Sequence, residues 1–172
     1  MEAARKKHER YLTDLLKRLR RDRDDRSEEI LDRLHRLNDR LHMDALLDSD
    51  MRGGMAPEIR EKVKQLYWSC LKSLERSWDY WRAATEMSTS QIRQDMLDRR
   101  EQVLQEVQEG TAHLEATVDH LRAKQLQHAL DKSELTRVRE ELDVGLTAAR
   151  RVEEHMSELE NGLAKGIEKT AE

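Results

Sequence analysis

The sequence predicts an all-α, elongated protein in which an antiparallel helical hairpin continues into a long coiled-coil arm. Ala, Glu, Lys, Leu and Arg make up 91 of the 172 residues, a composition typical of long helices and coiled coils. Leucines recur at spacings of three and four along most of the chain, which places them on one helix face. The single proline, Pro57, closely follows Gly53-Gly54, and this segment predicts the loop of the hairpin.

The first helix is predicted from about residue 2 to residue 47. Its leucines are interrupted by "RLRRDRDDRSEE" at 18–29, where ten of the twelve side chains are charged. Arg23 and Arg26 nevertheless keep the spacing of three and four through this stretch, so the helix is predicted to continue through it. A nucleic-acid-binding patch is disfavoured, because aspartates are interleaved with the arginines and would repel phosphate.

The second helix is predicted to begin at Pro57, a residue suited to the first helical position. Five of the six aromatic residues lie between positions 67 and 81. A hairpin closed by a loop at 48–57 brings the charged stretch of the first helix opposite these aromatics. Because a guanidinium stacked on an indole contributes about 0.5–2 kcal/mol, we predict a structural junction formed by four side chains: Arg23, Arg26, Trp78 and Trp81.

The arm is predicted as one long coiled-coil helix over 91–172, which makes residues 1–90 the hairpin domain. Two places offer a possible break, "EMSTSQ" at 86–91 and "LDKSEL" at 130–135, since each contains a capping residue followed three positions later by Gln or Glu. Continuity is the preferred interpretation of both. The heptad positions of the arm predict a partner-binding seam: Leu135, Val138, Leu142, Ala149, Val152, Met156, Leu159 and Leu163.

This architecture predicts a non-enzymatic structural, scaffold or adaptor protein. An isolated arm would expose its apolar seam, so it needs a helical partner protein or a second copy of itself. The acidic C-terminal end and basic N-terminal end favour antiparallel over parallel self-pairing. The sequence predicts no cofactor, metal or small-molecule substrate, because it contains no constellation for catalysis. A cytoskeletal or ciliary assembly is the expected setting, by analogy with other helical rods.

Two alternatives remain open. One is a membrane-surface helical dimer that binds anionic lipid through the basic N-terminal region. The other is a compact three-helix bundle, similar to a spectrin-type repeat, in which the arm folds back on the hairpin. Sedimentation velocity separates the rod from the bundle, and salt-sensitive vesicle binding identifies the lipid binder.

Two smaller signals have structural interpretations. Asp32, His35, Asp39 and His42 form one helix stripe with metal-ligand chemistry, but they flank an apolar seam where polar residues are expected. Cys70 lies on an apolar face and is predicted to be a buried structural thiol. A lone cysteine cannot form an intrachain disulfide, and the N-terminus has no apolar segment of secretory type. The predicted location is cytoplasmic, with a possible cytoskeletal association.

Overall fold

The computed structural model describes residues 2–43, 57–126 and 132–170, and on the last helix it describes side chains as far as Glu154. Apart from the connections at 20–24 and 87–89, the described residues are helical, and they contain no strand, which confirms the all-α prediction. The five helices are α1 (Glu2–Leu19), α2 (Asp25–Met43), α3 (Pro57–Glu86), α4 (Ser90–Leu126) and α5 (Lys132–Thr170).

The first predicted helix is broken by a turn at residues 20–24, so the prediction of one continuous helix is wrong. Arg23 has a φ of 57°, a left-handed conformation that an α-helix does not contain. The Asp22 carboxylate accepts a hydrogen bond from the backbone N–H of Asp24 at 2.9 Å, and the Asp24 carboxylate accepts one from the backbone N–H of Arg26 at 3.2 Å. These short side chains replace helical hydrogen bonds, and Asp24 caps the start of α2.

The hairpin loop predicted at 48–57 lies outside the described residues except for Pro57, where α3 begins as predicted. Ion pairs between described residues link α2 to α4, and they fix its direction. They join Arg26 to Glu101 at 2.6 Å, Arg33 to Glu115 at 2.6 Å and Arg40 to Asp119 at 2.8 Å. Because both members of the pairs rise together in number, α2 runs beside α4 in the same direction.

The third and fourth helices form an antiparallel pair joined by residues 87–89. The backbone carbonyl of Thr89 accepts a hydrogen bond from the N–H of Arg93 at 3.0 Å, which begins the first turn of α4. "EMSTSQ" is therefore a real helix boundary, and the predicted continuity through 86–91 is wrong.

The predicted arm is not one projecting helix, because α5 lies back along α3 and α4. Lys62 of α3 pairs with Asp143 of α5, and Arg76 pairs with Glu153 at 3.9 Å. If the arm continued straight from α4, its residues near 143 and 153 would lie tens of ångströms from α3, at 1.5 Å per residue. The numbers again rise together, so α5 is parallel to α3 and antiparallel to α4.

One hydrophobic core joins all five helices and includes residues on both sides of the predicted domain boundary at residue 90. Leu34, Leu74, Leu114 and Leu142 come from four different helices, and each is completely buried. Burying a leucine side chain contributes about 1.5–3 kcal/mol. The core therefore draws much of its stability from leucines that the spacing of three and four predicted to lie on one helix face. No helix in the described part of the chain is long and apolar enough to cross a membrane.

Candidate functional site

The described half of the predicted partner-binding seam lies inside the protein. Val138 and Leu142 are buried, and Leu135 and Ala149 pack against the same core. These four residues are therefore occupied by contacts within the chain and are not a free surface for a partner. The α5 backbone remains helical to Thr170. The side chains of the other predicted seam residues lie outside the described set and remain a prediction: Val152, Met156, Leu159 and Leu163.

Trp78 stacks with two arginines that differ from the two predicted for the arginine–tryptophan junction. Trp78 is buried, and the guanidinium carbons of Arg18 and Arg82 lie 5.7 Å and 5.2 Å from its ring centroid. Trp81 is partly buried against the core. Because the turn at 20–24 reverses the chain, α1 rather than the start of α2 lies beside this part of α3.

The two arginines assigned to that junction lie elsewhere. Arg23 is exposed in the turn. Arg26 binds Glu101 of α4 through two hydrogen bonds, at 2.6 Å and 2.8 Å, and also binds Asp24. The hydrogen bond from Arg26 lowers the pKa of Glu101. The predicted junction is therefore wrong about its arginines. Arg23 is exposed, and Arg26 bridges to α4 instead of stacking on a tryptophan.

A buried polar cluster, missed at the sequence level, attaches the turn to α4. The Arg100 side chain is 9% exposed and donates to the Asp22 carboxylate, which is fully buried, at 2.8 Å. A second ion pair joins Arg100 to Asp24 at 3.0 Å, and the Ser27 hydroxyl donates to Asp22 at 3.3 Å. We call Arg100, Asp22, Asp24 and Ser27 the Arg100 cluster. The charged stretch at 18–29 therefore contains acids that anchor the turn to α4.

Hydrogen bonds and nearby cations favour the charged form of the Asp24 carboxylate in the Arg100 cluster. The pKa of Asp24 is lowered chiefly by its hydrogen bond from Arg26, with a further contribution from Arg100, against the opposing effect of burial. One sequence signal pointed to the cluster: Arg100 follows Met96 by four positions and precedes Val103 by three, and both neighbours are buried. An arginine in such a core position needs a buried acid.

The two smaller sequence signals lie among the described side chains, which do not include that of His42. In the described part of the chain, no three His, Cys, Asp or Glu side chains are grouped as metal ligands. His35 and Asp39 are half exposed and lie 3.6 Å apart, as flanking polar residues do. Cys70 is buried, and burial raises its pKa to about 11. The thiol is therefore protonated near neutral pH and unreactive.

An open cleft of about 670 Å³ lies between α3, α4 and α5. Small residues make its helices approach closely. A Cβ atom added to Gly110 would lie 3.3 Å from the Cys70 sulfur, and one added to Gly145 would lie 3.2 Å from side-chain carbons of Leu66 and His113. Val144 lines the same cleft and is 70% exposed. We call this feature the α3–α4–α5 cleft.

Polar side chains line the α4 wall of the cleft in a straight row. Arg99, Gln102, Glu106, Glu109 and His113 are spaced by three and four residues, so they share one helix face. The Arg99 Nη1 atom is buried and has no hydrogen-bond acceptor among the described residues. The His113 Nε2 atom lies 3.1 Å from the Glu141 carbonyl oxygen. The row extends along the helix axis and does not converge on one point, as catalytic groups do. An extended row of this kind suits an elongated ligand.

Comparison with known proteins adds no relative, because no protein-family model, curated protein or solved structure matches the chain.

Proposed function

We propose that the chain is a non-enzymatic helical adaptor whose α3–α4–α5 cleft receives a helix from another protein chain. The observation that carries the proposal is an open cleft with an apolar floor and an exposed valine, Val144, at its edge. Exposed apolar surface beside polar side chains marks interaction sites. A helix lying in such a groove buries its own apolar face there.

The small residues of the cleft support a helical occupant. Ala148 and Ala149 line it on α5, beside Val144. Their short side chains leave room at this wall for a further helix, whose diameter with side chains is about 10–12 Å. The polar row on α4 runs along the groove, as the flanking polar positions of a coiled-coil seam do.

The predicted seam beyond the described side chains belongs to the same proposal. Val152, Met156, Leu159 and Leu163 continue the heptad spacing along the helical backbone of α5. Binding of a helical partner by these four residues stays a prediction from the heptad spacing. A cytoskeletal or ciliary setting and a cytoplasmic location remain predictions from the sequence alone.

A photo-crosslinking amino acid at position 144 tests the proposal in cells that express the protein. We expect a cross-link from Val144→benzoylphenylalanine to a helical segment of a protein chain, identified by mass spectrometry. The same substitution at Arg36, an exposed residue of α2, is the matched control and should not label that segment. Cross-linking that is equal at both positions, or none at position 144, contradicts the proposal.

A membrane surface is the second candidate, because one aromatic is exposed on the other side of α3. Trp68 is 43% exposed and contacts the rings of His8 and Tyr11. Exposed Lys64 and Lys72 lie one turn before and after it. Sedimentation with phosphatidylserine vesicles at low and high salt tests this candidate. Binding that is lost at high salt and weakened by Trp68→Ala supports it, whereas no binding at low salt excludes it.

A further inference from the structure

The polar row on α4 continues one turn further toward the N-terminus and is self-complementary in charge. We propose that it binds the same row of a second copy in antiparallel orientation, which makes the second copy the occupant of the cleft. This inference rests on the proposed function of the cleft as a helix-docking surface. We call the row the α4 stripe: Asp95, Arg99, Gln102, Glu106, Glu109 and His113.

The stripe lies along one face of α4 and is accessible. Successive members are four, three, four, three and four residues apart, which keeps them aligned on a helix. Asp95, Gln102 and Glu109 are exposed, and the other members are partly buried. The row extends over about 27 Å at 1.5 Å per residue, a length that two helices can share as a seam.

Charge is distributed unevenly along the stripe. Arg99 lies near its N-terminal end, whereas Glu106 and Glu109 lie toward its C-terminal end. Each glutamate accepts a hydrogen bond from a glutamine one turn earlier, at 3.3 Å for Glu106 and 3.1 Å for Glu109. These neutral partners leave the negative charge of both carboxylates available to a cation on another chain.

A two-fold axis between Gln102 and Glu106 satisfies the charges of two copies. In this register Arg99 faces Glu109 of the second copy, Gln102 faces Glu106, and Asp95 faces His113. The Arg99–Glu109 contacts pair a cation with a carboxylate, and the Gln102–Glu106 contacts pair an amide donor with a carboxylate acceptor. The symmetry repeats each contact, because an isologous interface uses the same patch on both chains.

Other arrangements of the same two helices are unfavourable. Parallel pairing places each residue against its own copy, so Arg99 meets Arg99 and the glutamates meet each other. An antiparallel shift by one heptad in one direction places Glu106 against Glu109, and in the other direction it places Asp95 against Glu106. Like charges that are held together across an interface suppress pairing.

The same arrangement covers the two groups that the single chain leaves incomplete. The second copy's α4 lies over the mouth of the cleft, where it contacts Val144 and Ala148 on α5. It also brings the Glu109 carboxylate of the second copy to the accessible part of the Arg99 side chain, which is only partly buried. Guanidinium–carboxylate hydrogen bonds are among the stronger hydrogen bonds in proteins.

Charge reversal tests both the partner and the register. Sedimentation velocity of the full chain over a range of concentrations should show a dimer. Arg99→Glu and Glu109→Arg should each weaken self-association about tenfold or more, because each places two like-charged pairs in the interface. An equimolar mixture of the two variants should form a heterodimer, and the double variant should dimerise again, since opposite charges then face each other. Circular dichroism checks that each variant remains helical.

A second measurement covers the case in which a charge variant fails to fold. Gln102→Cys and Glu106→Cys chains, mixed under mild oxidation, should form a disulfide between copies. The proposal is overturned if the natural chain is monomeric at all concentrations, or if the mixed charge variants stay apart while the cysteine pair does not cross-link. A monomer whose Val144 probe still labels another protein's helix retains the proposed function and loses only this inference. A dimer lacking any label at position 144 contradicts the helix-docking cleft itself.

Discussion

Replacing Arg100 by methionine should remove the anchor that holds the turn between α1 and α2 against α4. Methionine keeps an unbranched apolar stem like that of arginine but lacks the guanidinium cation. The Asp22 carboxylate, which has no exposed surface, then remains buried without its ion-pair partner. Removing one member of a buried ion pair typically costs about 3–5 kcal/mol, because the other charge is left uncompensated.

The structure places the expected cost near the lower end of that range. Asp22 still accepts hydrogen bonds from the backbone N–H of Asp24 at 2.9 Å and from the Ser27 hydroxyl at 3.3 Å. We therefore expect Arg100→Met to lower the free energy of unfolding by about 3 kcal/mol. For a chain of this size that corresponds to a decrease in Tm of about 6–12 °C.

Urea unfolding followed by tryptophan fluorescence and by helical circular dichroism measures the difference. Arg26→Met is the matched control, because Arg26 also pairs with an acid on another helix, but in solvent. Its side chain is 49% exposed and that of Glu101 is 57% exposed, so the expected loss is about 0–1 kcal/mol. Equal losses in the two variants would falsify the argument that burial makes the Arg100 cluster important.

The remaining predictions concern acid stability, thiol chemistry and the core. Because the folded-state pKa of Asp24 is lowered from 3.8, its stabilising contribution is present above that pH and is lost as the pH falls through the lower folded value. Urea midpoints of the natural chain and Asp24→Asn should therefore converge as the pH falls below about 4, and a constant gap would contradict this assignment. Cys70 should react slowly with an aromatic disulfide reagent in the native state and rapidly in urea, so equally fast reaction in both would show that the thiol is accessible. Leu142→Ala should cost about 2–5 kcal/mol by leaving a cavity, whereas Val144→Ala, at 70% exposure, should change stability by less than about 0.5 kcal/mol; similar effects would mean that α5 does not pack as described.

The partner of the α5 seam shows a limit of sequence reasoning. Heptad spacing correctly identified Val138 and Leu142 as positions that need a helical neighbour, and both are buried. Spacing describes only the helix that carries it, so it does not say whether the neighbour is another chain or α3 and α4 of the same chain. The choice depends on where the chain reverses, a tertiary property.

The charged stretch between α1 and α2 shows a related limit, because regular spacing did not exclude a helix break. Its spacing agreed with a continuous helix, but Asp22 and Asp24 form local hydrogen bonds that end one helix and begin another. The arginine that completes this arrangement, Arg100, lies 78 residues after Asp22. The spacing of three and four describes a helix face and contains no information about this distant contact.

The sequence by itself determined the helical class, the start of α3 at Pro57 and the leucines of the core. These features follow from backbone propensity and from the 3.6-residue period, which act within a few turns of helix. The tertiary structure alone decided the turn at 20–24, the return of α5 and the cleft that results. Each of these depends on which distant side chains meet. The pattern of a helix face determines which side chains must be buried, but it does not determine which neighbour buries them.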